Sequence, residues 1–142
     1  MKTKQLTKTK KGPCIDFMFA YAEQNMDQMM RLCDPNGKVQ FTPMGDQGIG
    51  TIGELGKAIW SSLIECFPDI TNVVHSAVEE EGQIKCKVLI SGTQEKDFAG
   101  IISKGNSFQS DHVFVFQLND AQKISNLTVE WDHADFQKQL EV

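Results

Sequence analysis

The sequence lacks any long apolar segment and any motif that ties a protein to a particular cofactor. No apolar run approaches the length of a membrane span, and the opening residues have neither the apolar region nor the cleavage site of a secretory signal. The four cysteines form no CxxC pair, and the three histidines have no ligand spacing. The glycines of DQGIGTIGE match neither the Walker pattern nor the dinucleotide fingerprint. We therefore expect a soluble, cytoplasmic protein with buried, reduced thiols and with neither metal nor organic cofactor.

Basic residues are scarce after the first eleven positions. The net charge is −5, but the opening MKTKQLTKTKK holds five lysines and no acid. The rest of the chain therefore carries about −10, and such an acidic body argues against nucleic-acid binding, which needs a basic face. We interpret residues 1–11 as a disordered, solubilising lysine-rich tail and residues 12–142 as a single domain.

The apolar residues change from helical to alternating spacing near Pro68. One helix is predicted from Pro13 to about Cys33 and a second from about Thr51 to Cys66. KVQFTPM, between them, is predicted as an edge strand because Pro43 has no amide to donate. Four alternating segments follow, ITNVVHSAV, IKCKVLISGT, NSFQSDHVFVFQL and KISNLTVEW. This order predicts an α+β fold, with helices packed on one face of a curved antiparallel sheet.

Several ordered pieces of this sequence resemble the SnoaL-like polyketide cyclase family, which has the nuclear transport factor 2 fold. The pieces are FPDI at 67–70, the glycine spacing of SGTQEKDFAGIISKG, the strand HVFVFQL, the KI at 123–124, and Asp132 followed after six residues by Gln-Leu. The resemblance implies a cone, in which the curved sheet wraps around the N-terminal helices. It also implies an apolar small-molecule ligand and no cofactor.

The resemblance places Asp132, at the end of the last strand, in the position of the family's catalytic acid/base, pointing into the cone. Thr128 and Glu130 would then line the pocket on the same strand face, while Leu127, Val129 and Trp131 would face outward. Such an outward apolar stripe would be covered by a second subunit packed sheet to sheet, so a homodimer is expected. The alternative register puts Trp131 in the core and leaves Asp132 in water as a polar strand end.

The remaining candidate site residues belong to the expected walls of the cone. His112 is the second catalytic candidate, as the hydrogen-bond donor to a ligand carbonyl. The further substrate-binding candidates are aromatic, namely Phe114, Phe116, Phe17, Tyr21 and Trp60. Members of the family carry other residues at the positions of Phe114, Gln117, Thr128 and Glu141, so the reaction stays open. The sequence therefore leaves two functions open. One is a cofactor-independent enzyme of the cyclase type (aldol cyclisation, isomerisation or similar), and the other is a non-catalytic ligand-binding or dimerisation module.

Overall fold

Helices come first and long strands follow, as the change in apolar spacing predicts. The computed structural model describes residues 11–142, which fold as four α-helices and six strands. The helices are α1 (Lys11–Ala22), α2 (Met26–Arg31), α3 (Lys57–Cys66) and α4 (His133–Glu141). The strands are β1 (Cys33–Phe41), β2 (Ile49–Thr51), β3 (Thr71–Glu80), β4 (Gln83–Thr93), β5 (Ser107–Leu118) and β6 (Ile124–Trp131). Residues 1–10 of the predicted lysine-rich tail lie outside the described residues, and Lys11 is already helical.

The six strands form one curved, open sheet in the order β2-β1-β6-β5-β4-β3. The four long strands β3 to β6 are joined as an antiparallel meander, and Glu81 and Gly82, both at positive φ, make the two-residue turn between β3 and β4. The predicted α+β cone is confirmed. The sheet is mixed rather than wholly antiparallel, because β1 runs parallel to β6.

Strand β1 is longer and more central than predicted. It begins at Cys33 and lies between β2 and β6, so β2 is the edge and Pro43 falls in the 3-10 turn Thr42–Gly48 that follows. The segment DPNG, residues 34–37, lies within β1 and interrupts its pairing with β6, with a register shift between Cys33 and Lys38. There the Asp34 carboxylate accepts a hydrogen bond from the backbone N–H of Asn36 at 2.9 Å, a local turn that the strand accommodates as a bulge.

The first predicted helix is broken into α1 and α2 at residues 23–25. Gln24 has a positive φ of 60°, and the Asn25 side chain caps α2 by accepting from the Gln28 N–H at 3.1 Å. The Gln24 amide donates to the carbonyl of Pro68 at 2.6 Å. The break therefore ties the first helices to the loop that leads into β3. The second helix ends at Cys66 as predicted, and a π-helical turn, Ile52–Gly56, precedes α3.

The concave side of the sheet is filled by aromatic side chains from the helices and the strands. Phe17 of α1 packs edge-on against Trp60 of α3 and Phe116 of β5, with ring centroids 5.2 and 5.7 Å apart. Trp60 in turn contacts Phe41 of β1 at 5.5 Å. Edge-to-face pairs of this kind add to the free energy of burying the rings, so they hold the helices against the sheet. All four cysteine side chains are buried, as expected.

Candidate functional site

Strand β6 turns its apolar side chains toward the helices. Leu127 and Val129 are only 1% and 2% exposed, and Val129 lies beside Phe114 of β5 and Phe41 of β1 in the ladder. Thr128 and Glu130 lie on the outer face, where Glu130 is exposed. The register predicted from the resemblance is therefore wrong. An apolar layer covers the inner face, and a carboxylate such as that of Glu130 would lose its hydration there without a partner.

Asp132 caps the last helix instead of entering the cone. Strand β6 ends at Trp131, and the exposed Asp132 side chain accepts a hydrogen bond from the backbone N–H of Asp135 at 3.0 Å. This bond satisfies one of the amides that a helix leaves free in its first turn. The predicted position of Asp132 inside the cone is wrong, because the chain turns into α4 at this residue. Its catalytic role stays a prediction.

The aromatic residues predicted as walls of a pocket fill the cone instead. Phe17, Tyr21, Trp60, Phe114 and Phe116 are each exposed by 2% or less. Burial raises the pKa of the Tyr21 hydroxyl far above its ordinary value. These five side chains contact one another or the surrounding core, so they do not line the open cleft described below.

His112 lies on the inner face of β5 and is 8% exposed. Its Nδ1 is 3.2 Å from the Ser110 hydroxyl oxygen and 3.3 Å from the Ser110 carbonyl oxygen. Burial lowers the pKa of the imidazole to about 4, which the Ser110 hydrogen bond and the nearby Asp111 charge offset only in part, so the ring is neutral near pH 7. The ring stacks on the Trp131 indole, with centroids 5.3 Å apart and planes 19° apart.

An apolar cleft of about 190 Å³ opens beyond Trp131, between α3, the turn after β1 and the start of α4. Its walls come from four separate parts of the chain, and the lining residues are Pro43, Met44, Gln47, Ile59, Leu63, Phe98, Ala99, Trp131, His133 and Phe136. None of these side chains is an Asp, Glu, Lys or Arg. The cleft is therefore suited to an uncharged, largely apolar guest.

Trp131 and His133 form a hydrogen-bonded pair on the cleft wall. The indole Nε1–H of Trp131 donates to His133 Nδ1 at 3.2 Å, and the His133 ring stacks on Phe136 at 5.6 Å. Sequence reasoning missed His133 as a site residue. The signal that could have found it is its place directly after Asp132, since a residue that opens the helix after the last strand stays close to the strand's end.

A protein-family comparison agrees with this architecture. The family model described as SnoaL-like polyketide cyclase matches residues 15–140. The chain belongs to this family. The resemblance read from the sequence is therefore confirmed, although no curated protein matches the sequence significantly.

Solved structures share the fold of this SnoaL-like domain. A candidate SnoaL-like polyketide cyclase from Jannaschia sp. CCS1 superimposes with a TM-score of 0.82 at 16% identity, over 94% of this chain and 92% of that chain. IdmH, a candidate polyketide cyclase from Streptomyces antibioticus, gives 0.76 at 20% identity, over 94% and 99%. A Catenulispora acidiphila protein described as having a ketosteroid isomerase-like fold gives 0.74 at 11% identity, over 92% of both chains. At these identities the likeness establishes the fold alone.

One wall of the cleft in the SnoaL-like domain is a loop that a buried glutamine holds in shape. Gln94 Nε2 donates to the carbonyls of Lys96 at 3.0 Å and Ile101 at 2.9 Å. Between them, Phe98 and Ile101 exchange backbone hydrogen bonds, and Ala99 and Gly100 turn the chain at positive φ. Gln94 therefore fixes the backbone that presents Phe98 and Ala99 to the cleft.

The outer face of the sheet carries a shallow groove of about 210 Å³, lined in part by Lys85, Val113, Val115 and Glu130. Val113 and Val115 are half-buried at its centre.

Within residues 11–142 no three histidine, cysteine, aspartate or glutamate side chains are grouped as metal ligands. No helix in the same range is both long and apolar enough to cross a membrane.

Proposed function

We propose that this SnoaL-like domain is a small-molecule enzyme that binds an uncharged, apolar molecule in the cleft and moves a proton beside one of its carbonyl groups. Aldol cyclisation and isomerisation are reactions of this kind, and neither needs a metal or an organic cofactor. The observation that carries the proposal is the cleft itself, whose apolar walls include the Trp131–His133 pair. The four buried thiols fit a reducing compartment, so a cytoplasmic location is part of the proposal.

Asp132 is the base in this proposal, acting from the mouth of the cleft. It directly follows Trp131 and precedes His133, both of which line the cleft, and its carboxylate has acceptor positions beyond the bond from Asp135. A carboxylate that takes a proton α to a carbonyl produces an enolate, which needs a nearby donor. His112, the donor expected from the sequence, lies behind Trp131 and is proposed to support the indole through stacking.

The exposure of Asp132 favours a second candidate, a non-catalytic ligand-binding module. The Asp132 carboxylate is exposed to water and is not enclosed with a bound molecule. In that case the cleft holds a ligand without converting it.

The two candidates can be separated without knowing the natural substrate. Aromatic and alicyclic ketones are incubated with the protein in D₂O, and exchange of their α-protons is followed by NMR. If the domain is an enzyme, exchange should exceed the buffer rate and should be lost in Asp132→Asn, because an amide cannot take the proton. Asparagine is an equally good helix cap, so the variant should keep its stability and its ketone affinity. Asp120→Asn, an exposed carboxylate in the β5–β6 turn, is the matched control.

Two outcomes would contradict the enzymatic proposal. Ketones that bind to the wild type without accelerated exchange would identify a binding module. Exchange that survives unchanged in Asp132→Asn would show that another group is the base.

We also propose that two copies associate through the outer face of the sheet, with residues other than those first expected. Leu127 and Val129 face the core, so they are unavailable for the contact. The ladder sets Lys87, Val113 and Glu130 side by side in one row across β4, β5 and β6. A twofold axis along β5 would place Lys87 of each copy over Glu130 of the other, with the valines at the centre.

Charge reversal tests this arrangement. Lys87→Glu and Glu130→Lys should each weaken the dimer in analytical ultracentrifugation, and the double variant should restore it because the pair is exchanged. A wild-type protein that sediments as a monomer at all concentrations, or a double variant that fails to recover, would contradict the arrangement.

A further inference from the structure

The donors and acceptors that the cleft offers a ligand are few. Among its lining residues, Gln47, Trp131 and His133 carry polar side-chain groups, and Gln47 is exposed at the mouth. The Trp131 N–H is already engaged with His133 Nδ1. His133 is therefore the group that can address a ligand held against the apolar walls.

The His133 ring is held in place from two sides. Phe136 stacks against it, with planes 29° apart, and the Trp131 indole approaches it edge-on. Trp131 is itself fixed by stacking on His112 and by an edge contact with Phe41 at 6.4 Å. The imidazole is thus positioned before any ligand arrives, which lowers the entropy lost on binding.

The hydrogen bond from Trp131 also determines which nitrogen of His133 carries the proton. An indole N–H can only donate, so His133 Nδ1 must accept. In the neutral ring the proton is then on Nε2. The described residues contain no partner for Nε2, which leaves its N–H as a donor for a ligand.

We infer that His133 is the specificity-determining donor of the cleft, that Trp131 positions it, and that the ligand is an uncharged one- or two-ring molecule with a carbonyl or hydroxyl oxygen against Nε2–H. This inference rests on the proposed function, since it assigns the ligand class of the same cleft. In an enzyme the same N–H stabilises the oxygen of an enolate. In a binding module the same N–H makes ligands that carry an oxygen bind more tightly than hydrocarbons of equal shape.

The size of the ligand follows from the volume of the cleft. A dry apolar cavity of about 150 Å³ is sufficient for benzene. A cleft of about 190 Å³ therefore receives one ring with a short substituent, and further rings would extend past its mouth. The absence of charged side chains from the lining favours a neutral guest, because a charged guest would lose its hydration without a counter-charge.

Two probes of nearly equal shape test the role of the donor. Acetophenone offers a carbonyl oxygen where α-methylstyrene has a CH₂ group. The measured quantity is the ratio of the α-methylstyrene Kd to the acetophenone Kd, compared between proteins by titration calorimetry. Each probe is desolvated equally whether it binds to the wild type or to a variant. Its desolvation cost therefore cancels when the Kd ratios of two proteins are compared.

His133→Phe keeps a ring on Phe136 and removes the donor. We expect the Kd ratio to fall about three- to tenfold, the share of one net hydrogen bond, while α-methylstyrene affinity changes less than twofold. His75→Phe, the same change at an exposed histidine on β3, should leave the ratio at the wild-type value. A ratio that falls less than threefold in His133→Phe, or falls equally in His75→Phe, overturns the inference but leaves binding in the cleft intact. A wild type that binds neither probe overturns both the inference and the proposed function.

A second measurement does not depend on the His133 variant folding. Long-range proton–nitrogen NMR correlation of the ¹⁵N-labelled wild type should show that the neutral His133 ring has Nδ1 unprotonated and Nε2 protonated. Trp131→Phe, which removes the indole donor, should make the two tautomers more nearly equal and reduce the preference for the ketone. A proton on Nδ1 in the wild type would overturn the assignment of Nε2 as the donor.

Discussion

The buried histidine of β5 should make the stability of the domain depend on pH in a defined window. Burial lowers the His112 pKa from its ordinary 6.5 to about 4 in the folded state. Between these values the unfolded chain binds a proton that the folded chain does not bind. The contribution of this pKa difference to the free energy of unfolding should therefore be complete above pH 6.5 and should be lost as the pH falls toward 4.

The size of the effect follows from the same gap. Each pH unit between the two pKa values is worth about 1.4 kcal/mol, so the whole window amounts to about 3 kcal/mol at most. That is a large share of the roughly 5–15 kcal/mol by which small domains are stable. The assay is urea unfolding followed by Trp fluorescence at half-unit steps from pH 4 to 7.

A matched pair of variants isolates the contribution of His112 from that of the carboxylates. His112→Phe retains the stack on Trp131 and cannot titrate, so the difference between wild type and variant should carry the predicted slope. His75→Phe makes the same substitution at an exposed histidine and is the matched control. The reasoning would be refuted if His112→Phe unfolded with the same pH slope as the wild type between 4 and 6.5.

Three further predictions follow from the burial and capping contacts. Leu127→Ala should lower the free energy of unfolding by about 2–5 kcal/mol and Thr128→Ala by less than about 1 kcal/mol, measured by urea titration, because only Leu127 faces the core. The opposite order would restore the register first expected. Asp132→Ala should cost about 1 kcal/mol in the same assay and Asp132→Asn less, since asparagine retains the cap; equal losses would contradict the capping role. Burial raises the pKa of the Cys33 thiol to about 12 and that of Cys86 to about 11. A thiol reagent at pH 8 should therefore label these residues slowly in the native protein and rapidly in urea. Rapid labelling of the native protein would contradict their burial.

The sequence was sufficient for the fold class because local patterns define its elements. The segments NSFQSDHVFVFQL and KISNLTVEW are predicted as strands, and the structure has strands at residues 107–118 and 124–131. The break in the first helix was harder to predict. It depends on the left-handed Gln24 and on its bond to Pro68, a partner distant in the sequence.

The candidate site could be predicted only in part, because the strand face and the open volume are properties of packing. Alternation in LTVEWD allows two registers, and the resemblance favoured the one with Asp132 inside. The structure takes the other, since Val129 pairs with the buried Phe114. The volume that remains open depends on how Phe17, Trp60 and Phe116 fill the cone, which no local pattern reports.

The parallel pairing of β1 with β6 has a consequence for the order in which the molecule is completed. The Thr42 hydroxyl donates to the Val129 carbonyl at 3.3 Å, a contact between residues 87 positions apart in the chain. Contacts of such long sequence separation are slow to form, because most of the loop entropy must be lost before they are made. During synthesis, β1 cannot pair with β6 until residues 124–131 have left the ribosome. The cleft takes its walls from the turn after β1 and from the start of α4, so it is complete only after β1 and β6 have paired and α4 has formed.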